Sequence, residues 1–236
     1  MRRTLTVLFC VLFLIPSLLS QGIEWEQNFG GSDPDLGLSV RLTQDGGYIG
    51  AGASNKDYQC IKLTSSGTVK WDSIYGGSAG EIASSIQQTK DGGYILVGQS
   101  SSSDGDVSGN HGKDDEWVLK LDSIGQIEWE HNYGGDSADG ARSVIQTPDG
   151  GYAIAGFSKS SNIDVSGNNG SKDYWILKLD PLGNIEWEKN YGGSQADVAY
   201  SIRRTAGGAY IVSGESWSSD KDVSGNNGMS DFWVLK

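Results

Sequence analysis

Four tryptophans, Trp25, Trp71, Trp129 and Trp187, open four copies of one text, spaced 46, 58 and 58 residues apart. A repeat of that period restricts the chain to stacked or ring-like arrays, because one unit is too small to bury its own apolar face. Counted from each tryptophan, the same residue types recur. Phe29, Tyr75, Tyr133 and Tyr191 each precede Gly-Gly, and Ser39, Ser85, Ser143 and Ser201 align. Thr43, Thr89, Thr147 and Thr205 align as well, followed by Tyr48, Tyr94, Tyr152 and Tyr210.

Each unit reads as two hairpins. Ser85–Thr89 leads through Asp91-Gly92-Gly93 into Tyr94–Gly98, and Asp-Gly between alternating segments predicts a two-residue turn with both positions at positive φ. Asp45-Gly46 and Asp149-Gly150 repeat the signal, whereas the last unit has Gly207-Gly208. The second hairpin runs from Trp117–Leu121 through Gly125 to Ile127–Glu130, and Asp180-Pro181-Leu182-Gly183 is the same turn with proline fixing φ. Glycine, 35 of 236 residues, is concentrated at these turns. No stretch after residue 20 keeps a helical period for three turns.

Four short antiparallel strands per unit, with aromatic and glycine marks at a period near fifty, predict an all-β chain, a β-propeller of four-stranded blades with four repeats. The segments at the two ends leave two readings open. Ile23–Phe29 reads as a fourth strand without a blade before it, and Phe232–Lys236 as a third strand without a fourth after it. The former could complete the latter and close a ring of four, or the four units could belong to a larger propeller. The combined run Y-G-G-S, S-I, T-x-D-G-G-Y, D-V-S-G-N and D-x-W-V-L-K-L-D resembles the β-propeller repeats of large secreted proteins common in Bacteroidetes. That resemblance covers nearly all of residues 23–236 and implies a secreted bacterial propeller, with little chemistry attached.

Residues 1–20 differ from the rest. Arg2 and Arg3 precede an apolar run from Leu5 to Ile15, and Ser20 marks a cleavage point, the pattern of a secretory signal peptide. The expected location is therefore secreted, cell-surface or periplasmic, with no membrane insertion after cleavage. The whole chain carries a formal charge of −12, and loss of Arg2 and Arg3 makes it more negative. So acidic a surface repels phosphate backbones, which argues against a nucleic-acid partner and suits one that attracts cations. Only Cys60 lies beyond residue 20, so no intramolecular disulfide is expected there.

Unit one is shorter than the others at a single place. The insert present in the others carries Asp104, Asp106, Ser108 and Asn110 with Asp115. Its copies are Asn162, Asp164, Ser166 and Asn168 with Asp173, and Asp220, Asp222, Ser224 and Asn226 with Asp231. Oxygen side chains at positions 1, 3, 5, 7 and 12, with glycine at 6, match what a Ca²⁺ shell requires. Position 12 is Asp and no helices flank the loop, so a loop of Asx turns is the alternative.

In an up-and-down blade this insert shares an end with the loop entering the first strand. That loop carries Asp35, Glu81, Asp139 and Asp197, always ten residues after the tryptophan. The acidic insert and this acidic ring together form the expected binding face, towards a protein or a glycan. The competing reading is that these acids hold the Gly-Gly turn.

No catalytic constellation is apparent. Gly76-Gly-Ser78-Ala-Gly80 matches a nucleophile elbow only formally, since its counterparts are blade turns. His111 and His131 stand where other units have Asn or Lys, so neither a triad nor a zinc site is supported. Expected is a secreted, non-catalytic binding or display propeller. The alternatives are a glycan hydrolase or lyase using ring carboxylates, and a structural module of a longer surface protein.

Overall fold

The computed structural model describes residues 22–236; the expected signal peptide, residues 1–20, lies outside them. The described chain holds fifteen strands in four antiparallel sheets and no helix. Sheet one is β1 (Leu36–Leu42), β2 (Tyr48–Ser54), β3 (Asp57–Leu63) and β4 (Val69–Tyr75). Sheet two is β5 (Glu81–Gln88), β6 (Tyr94–Ser100), β7 (Asp115–Leu121) and β8 (Ile127–Tyr133). Sheet three is β9 (Asp139–Gln146), β10 (Tyr152–Ser158), β11 (Asp173–Leu179) and β12 (Ile185–Tyr191). Sheet four has three strands, β13 (Asp197–Arg204), β14 (Tyr210–Ser216) and β15 (Asp231–Leu235). Every sheet runs in sequence order, the meander of a propeller blade.

The turns correct one expectation. Gly46, Gly92, Gly150 and Gly208 have φ of 77, 88, 91 and 91°, while Asp45, Asp91 and Asp149 before the first three stay at negative φ. Thr89 N donates to Gly93 O at 2.9 Å and Gly92 N to Thr89 O at 3.0 Å. This is a three-residue loop, a type I turn closed by a left-handed glycine, and it needs positive φ at the glycine alone. Asp122–Gly125 and Asp180–Gly183 repeat it. Two-residue geometry occurs instead between β2 and β3, where Asn55 and Lys56 have φ of 49 and 76°.

The turn aspartate is occupied elsewhere. Lys62, Lys120 and Lys178 are buried, and their ammonium groups lie 3.0 Å from Asp45, Asp91 and Asp149. Lys120 and Lys178 also reach Glu128 and Glu186 at 2.7 and 2.8 Å. Each ammonium further donates to the carbonyl of the next leucine at 2.9–3.0 Å, which satisfies three donors and makes burial tolerable.

The core lies between sheets. Tyr58 and Cys60 of sheet one pack with Leu96, Trp117 and Leu119 of sheet two. Val97 and Val118 meet Ile154, Trp175 and Leu177 in the next junction, and Tyr174 and Ile176 meet Ala199 and Val212 in the third. Both faces of the middle sheets are therefore covered, which is why β7 and β11 are buried at every position, their Asp, Glu and Lys side chains included. The first strands, β1, β5, β9 and β13, pack in succession around the axis of the array, where Arg41 and Leu42 of β1 and Arg203 of β13 line one open cavity.

Ile23–Phe29 forms no strand. It has no ladder partner among the described residues, and an unpaired extended segment gains none of the hydrogen bonds that define a strand.

Candidate functional site

The loops before β5, β9 and β13 and the inserts before β7, β11 and β15 meet at one end of the array, as Asp106 N donating to Gly76 O at 2.9 Å shows. Glycine is required where they meet. A Cβ on Gly76 would lie 2.5 Å from Asp57 and 2.6 Å from Glu81, and one on Gly77 2.6 Å from Asp104 Oδ1.

The acidic ring sits inside this end. Gly31, Gly77, Gly135 and Gly193 donate their amides to Asp35, Glu81, Asp139 and Asp197 at 2.8, 3.0, 2.8 and 2.8 Å. Ser100 adds a hydroxyl to Glu81 at 2.9 Å, Ser160 one to Asp139 at 2.7 Å and Ser218 one to Asp197 at 2.8 Å. Glu81, Asp139 and Asp197 are fully buried. They bind the Gly-Gly turn rather than line a contact surface, because each carboxylate oxygen is worth more to the buried amides than to solvent.

The inserts are held by the same bonds each time. Asp104, Asn162 and Asp220 accept through Oδ1 from the amides of Ser78, Asp136 and Ser194 at 2.7, 3.1 and 2.7 Å. Asp106, Asp164 and Asp222 accept from Gly76, Gly134 and Gly192, each at 3.2 Å. Asn110, Asn168 and Asn226 donate to the carbonyls of Ser100, Ser158 and Ser216 at 3.0, 2.8 and 3.1 Å. Their Oδ1 atoms take the amides of Gly112, Gly170 and Gly228. Ser108 bonds Glu130, whereas Ser166 and Ser224 are exposed.

The positions read as alternate calcium ligands are thus spread over separate backbone partners. No group of three or more His, Cys, Asp or Glu side chains converges as a metal site among the described residues. The donors as placed do not fit an oxygen shell of six to eight ligands. Asn110, Asn168 and Asn226 make the Asx turns of the alternative, whereas Asp104, Asp106 and their copies tie the insert to the neighbouring loop.

Asp115 and Asp173 do something the sequence did not show. Each starts the third strand of its sheet and faces the first acid of the next sheet. A Cβ on Gly134 would lie 2.5 Å from Asp115 Oδ1 and 2.8 Å from Asp139 Oδ2. Gly192 stands likewise between Asp173 and Asp197. Burial, and to a smaller extent the neighbouring carboxylate, pushes both Asp115 and Asp173 up to about 6. Backbone amides at His111 and Asn169 oppose the rise. Asp115 Oδ1 and Asp173 Oδ1 have no partner, which a shared proton across each pair would supply. Asp57, opposite Glu81, is raised as well, by burial first. Asp231, the last of the series, is only half-buried.

Three anchors went unread. Val107, Val165 and Val223 bury the middle of each insert. Ser102, Ser160 and Ser218 accept the amides of Ala79, Ser137 and Gln195 at 2.8–3.1 Å. Both recur at fixed offsets, so the repeat itself carried the signal. Glu116 is the third: fully buried, with neither carboxyl oxygen partnered, at a position where the flanking sheets have Tyr58 and Tyr174. What the end exposes is the insert tips, including Asp104, Asp106, Asp220 and Asp222.

No protein-family model matches the chain, and no curated protein matches it. Among solved structures, a protein of unknown function from Bacteroides caccae is 12% identical. That match covers 80% of this chain and 56% of the other, at a TM-score of 0.48. Two variants of the Synechocystis apocarotenoid oxygenase are similar at 10% and 11% identity, with TM-scores of 0.46 and 0.38. They match 83% and 64% of this chain, and 46% and 37% of their own length. The chain spans about half or less of the length of these structures.

Proposed function

We propose that this protein is a secreted, non-catalytic binding or display propeller whose contact surface is the insert end. One observation carries the reading. Elaboration is confined to that end, where three long loops are anchored by buried valines and repeated hydrogen bonds while Asp104, Asp106, Asp220 and Asp222 keep one side in solvent. A loop held rigid at its base and free at its tip loses little further entropy on binding, so such loops suit recognition. Hydroxyl-rich glycans and basic protein surfaces are the partners this acidic, hydrogen-bonding surface suits. The backbone already satisfies the loop carboxylates, so the reading requires no calcium.

A carboxylate-dependent glycan hydrolase is the second reading, favoured by the raised carboxyls of Asp115 and Asp173, each set beside a second carboxylate, Asp139 or Asp197. Their full burial weighs against it, since no substrate atom reaches them without opening the loops. Incubation with a panel of polysaccharides decides between the two. Binding without turnover supports the first. Turnover that Asp139→Asn or Asp197→Asn abolishes, in a chain that still melts cooperatively, overturns it.

A further inference from the structure

Every internal junction uses the same two sheet faces. One is presented by residues such as Ile49, Tyr58 and Cys60, the other by residues such as Ile86, Leu96 and Trp117. One face of each kind is left without a mate. On sheet one, Val40 is 63% exposed where its counterparts Ile86 and Ile202 are buried. On sheet four, Phe232 is 79% exposed where its counterparts Tyr58 and Tyr174 are buried. Val234 and Ile211 beside Phe232 are exposed too, as are Leu36 and Leu42 beside Val40. Two apolar sheet faces of this extent are binding surfaces or liabilities.

The segment before β1 shows what the sheet-one face takes. Trp25 lies on Tyr48 with ring centroids 5.5 Å apart. Trp71 on Tyr94, Trp129 on Tyr152 and Trp187 on Tyr210 are at 5.6, 5.8 and 5.9 Å, and in those three the tryptophan belongs to the edge strand of the preceding sheet. Residues 23–29 therefore sit where the edge strand of a preceding sheet sits. Among the described residues only that segment of such a sheet is present before β1; its three inner strands are what β13–β15 offer, and the outer edge of β15 has no ladder partner there.

The shapes agree. Gly50 and Gln59 replace the Leu96 and Trp117 of sheet two, which leaves a groove lined by Trp25, Val40, Tyr48, Ile61 and Leu63. Gly52 lines it as well, at the position of Gly98 and Gly214, where the missing Cβ makes room for the hydroxyls of Tyr58 and Tyr174. Phe232 occupies the tyrosine position and projects from sheet four.

We propose that a second copy of this chain fills the groove: β13–β15 of one copy pack on the outer face of sheet one of another. Residues 23–29 of the receiving copy then add to β15 as its fourth strand, and Asp231 meets Asp35 as Asp173 meets Asp197. A second copy is favoured over closure within one chain because β1 and β13 face each other across an open cavity, which Arg41, Leu42 and Arg203 line. The two faces differ, so the contact is head to tail and either closes into a ring or extends. This inference is independent of the insert end and its ligands.

Sedimentation velocity over a wide concentration range tests it. The chain is expected to form species at multiples of its 25.2 kDa mass. Val40→Asp and Phe232→Asp, both at exposed positions and both retaining a cooperative melt, are each expected to be monomeric. Their equimolar mixture is expected to form a two-chain species, because one intact face of each kind remains. A monomeric wild type, whether from closure of one chain on itself or from faces that take something else, overturns the proposal. So does a mixture that stays monomeric, or a single variant that still self-associates, which would point to like faces meeting like.

Discussion

Restoring the repeat at Glu116 is expected to stabilise the protein. Tyr58 and Tyr174 each donate a hydroxyl to the carbonyl of the facing tryptophan, Trp117 and Trp233, at 3.1 Å. Their rings lie 4.6 and 4.7 Å from those indoles. Glu116 faces Trp175 at the equivalent point with both oxygens unpartnered, and Gly156 leaves the same room there that Gly98 and Gly214 leave. Burial pushes its carboxyl far up, with Asp139 adding to the rise and Arg142 opposing it. An unsatisfied buried polar group costs about 1–3 kcal/mol, and the tyrosine hydrogen bond returns about 1. The aromatic contact contributes about 0.5–1.5 kcal/mol more. Loss of attraction to Arg142 offsets part of this, although that guanidinium keeps Gln99 and the Ala141 carbonyl as acceptors. Glu116→Tyr is therefore expected to add about 2–4 kcal/mol, or roughly 5–15 °C in Tm for a domain of this size. Urea unfolding should show a higher midpoint at unchanged slope. An unchanged or lower midpoint would refute the argument that the carboxyl is an uncompensated cost.

Further outcomes follow from the same structure. Asp173 is raised to about 6, so the folded state holds its proton more tightly than the unfolded chain and stability falls as pH rises from about 4 through 6. Asp173→Asn should flatten that decline in urea midpoints measured across the window; an unaltered profile would count against the proton-sharing pair. Gly98→Ala would drive a methyl into the Ile82 carbonyl and the Tyr58 hydroxyl and should cost about 3 kcal/mol or more, read by thermal melting. Cys60 is buried and its thiol raised by burial, so a thiol reagent should label it only at the rate of unfolding. Excess Ca²⁺ against EDTA should leave Tm within about 2 °C; a rise of roughly 5–11 °C, the effect of one well-occupied site, would show that the loop oxygens regroup around the ion.

The sequence was most legible where a residue's role repeats and is local. The tryptophan period, the places of the hairpin turns and the four sheets could be read directly, because turn glycines and apolar strands act on their immediate neighbours; the turns' three-residue geometry could not. What stayed hidden depends on contacts between sheets. Asp139 and Asp197 look like a surface ring in sequence, and only the seating of one sheet on the next buries them. The D-x-D-x-S-G-N spacing suits a cation and a set of Asx turns alike, and spacing alone does not say that Asp104 and Asp106 reach the amides of the neighbouring loop. Lys120 reads as a solvent residue in an alternating strand, yet it is buried because Asp91 from a turn and Glu128 from β8 both reach it. Ile23–Phe29 carries strand residues, but a strand also needs a neighbour.

The insert end as contact surface is tested most directly by removing the inserts. Sheet one already joins β2 to β3 through Asn55-Lys56, so residues 101–114, 159–172 and 217–230 can each be replaced by that two-residue turn. Near-UV circular dichroism and a cooperative melt would establish that the sheets remain seated. The account predicts that this shortened chain loses retention on the polysaccharides and basic proteins that hold the intact one. Undiminished retention by a folded, insert-free chain would contradict it.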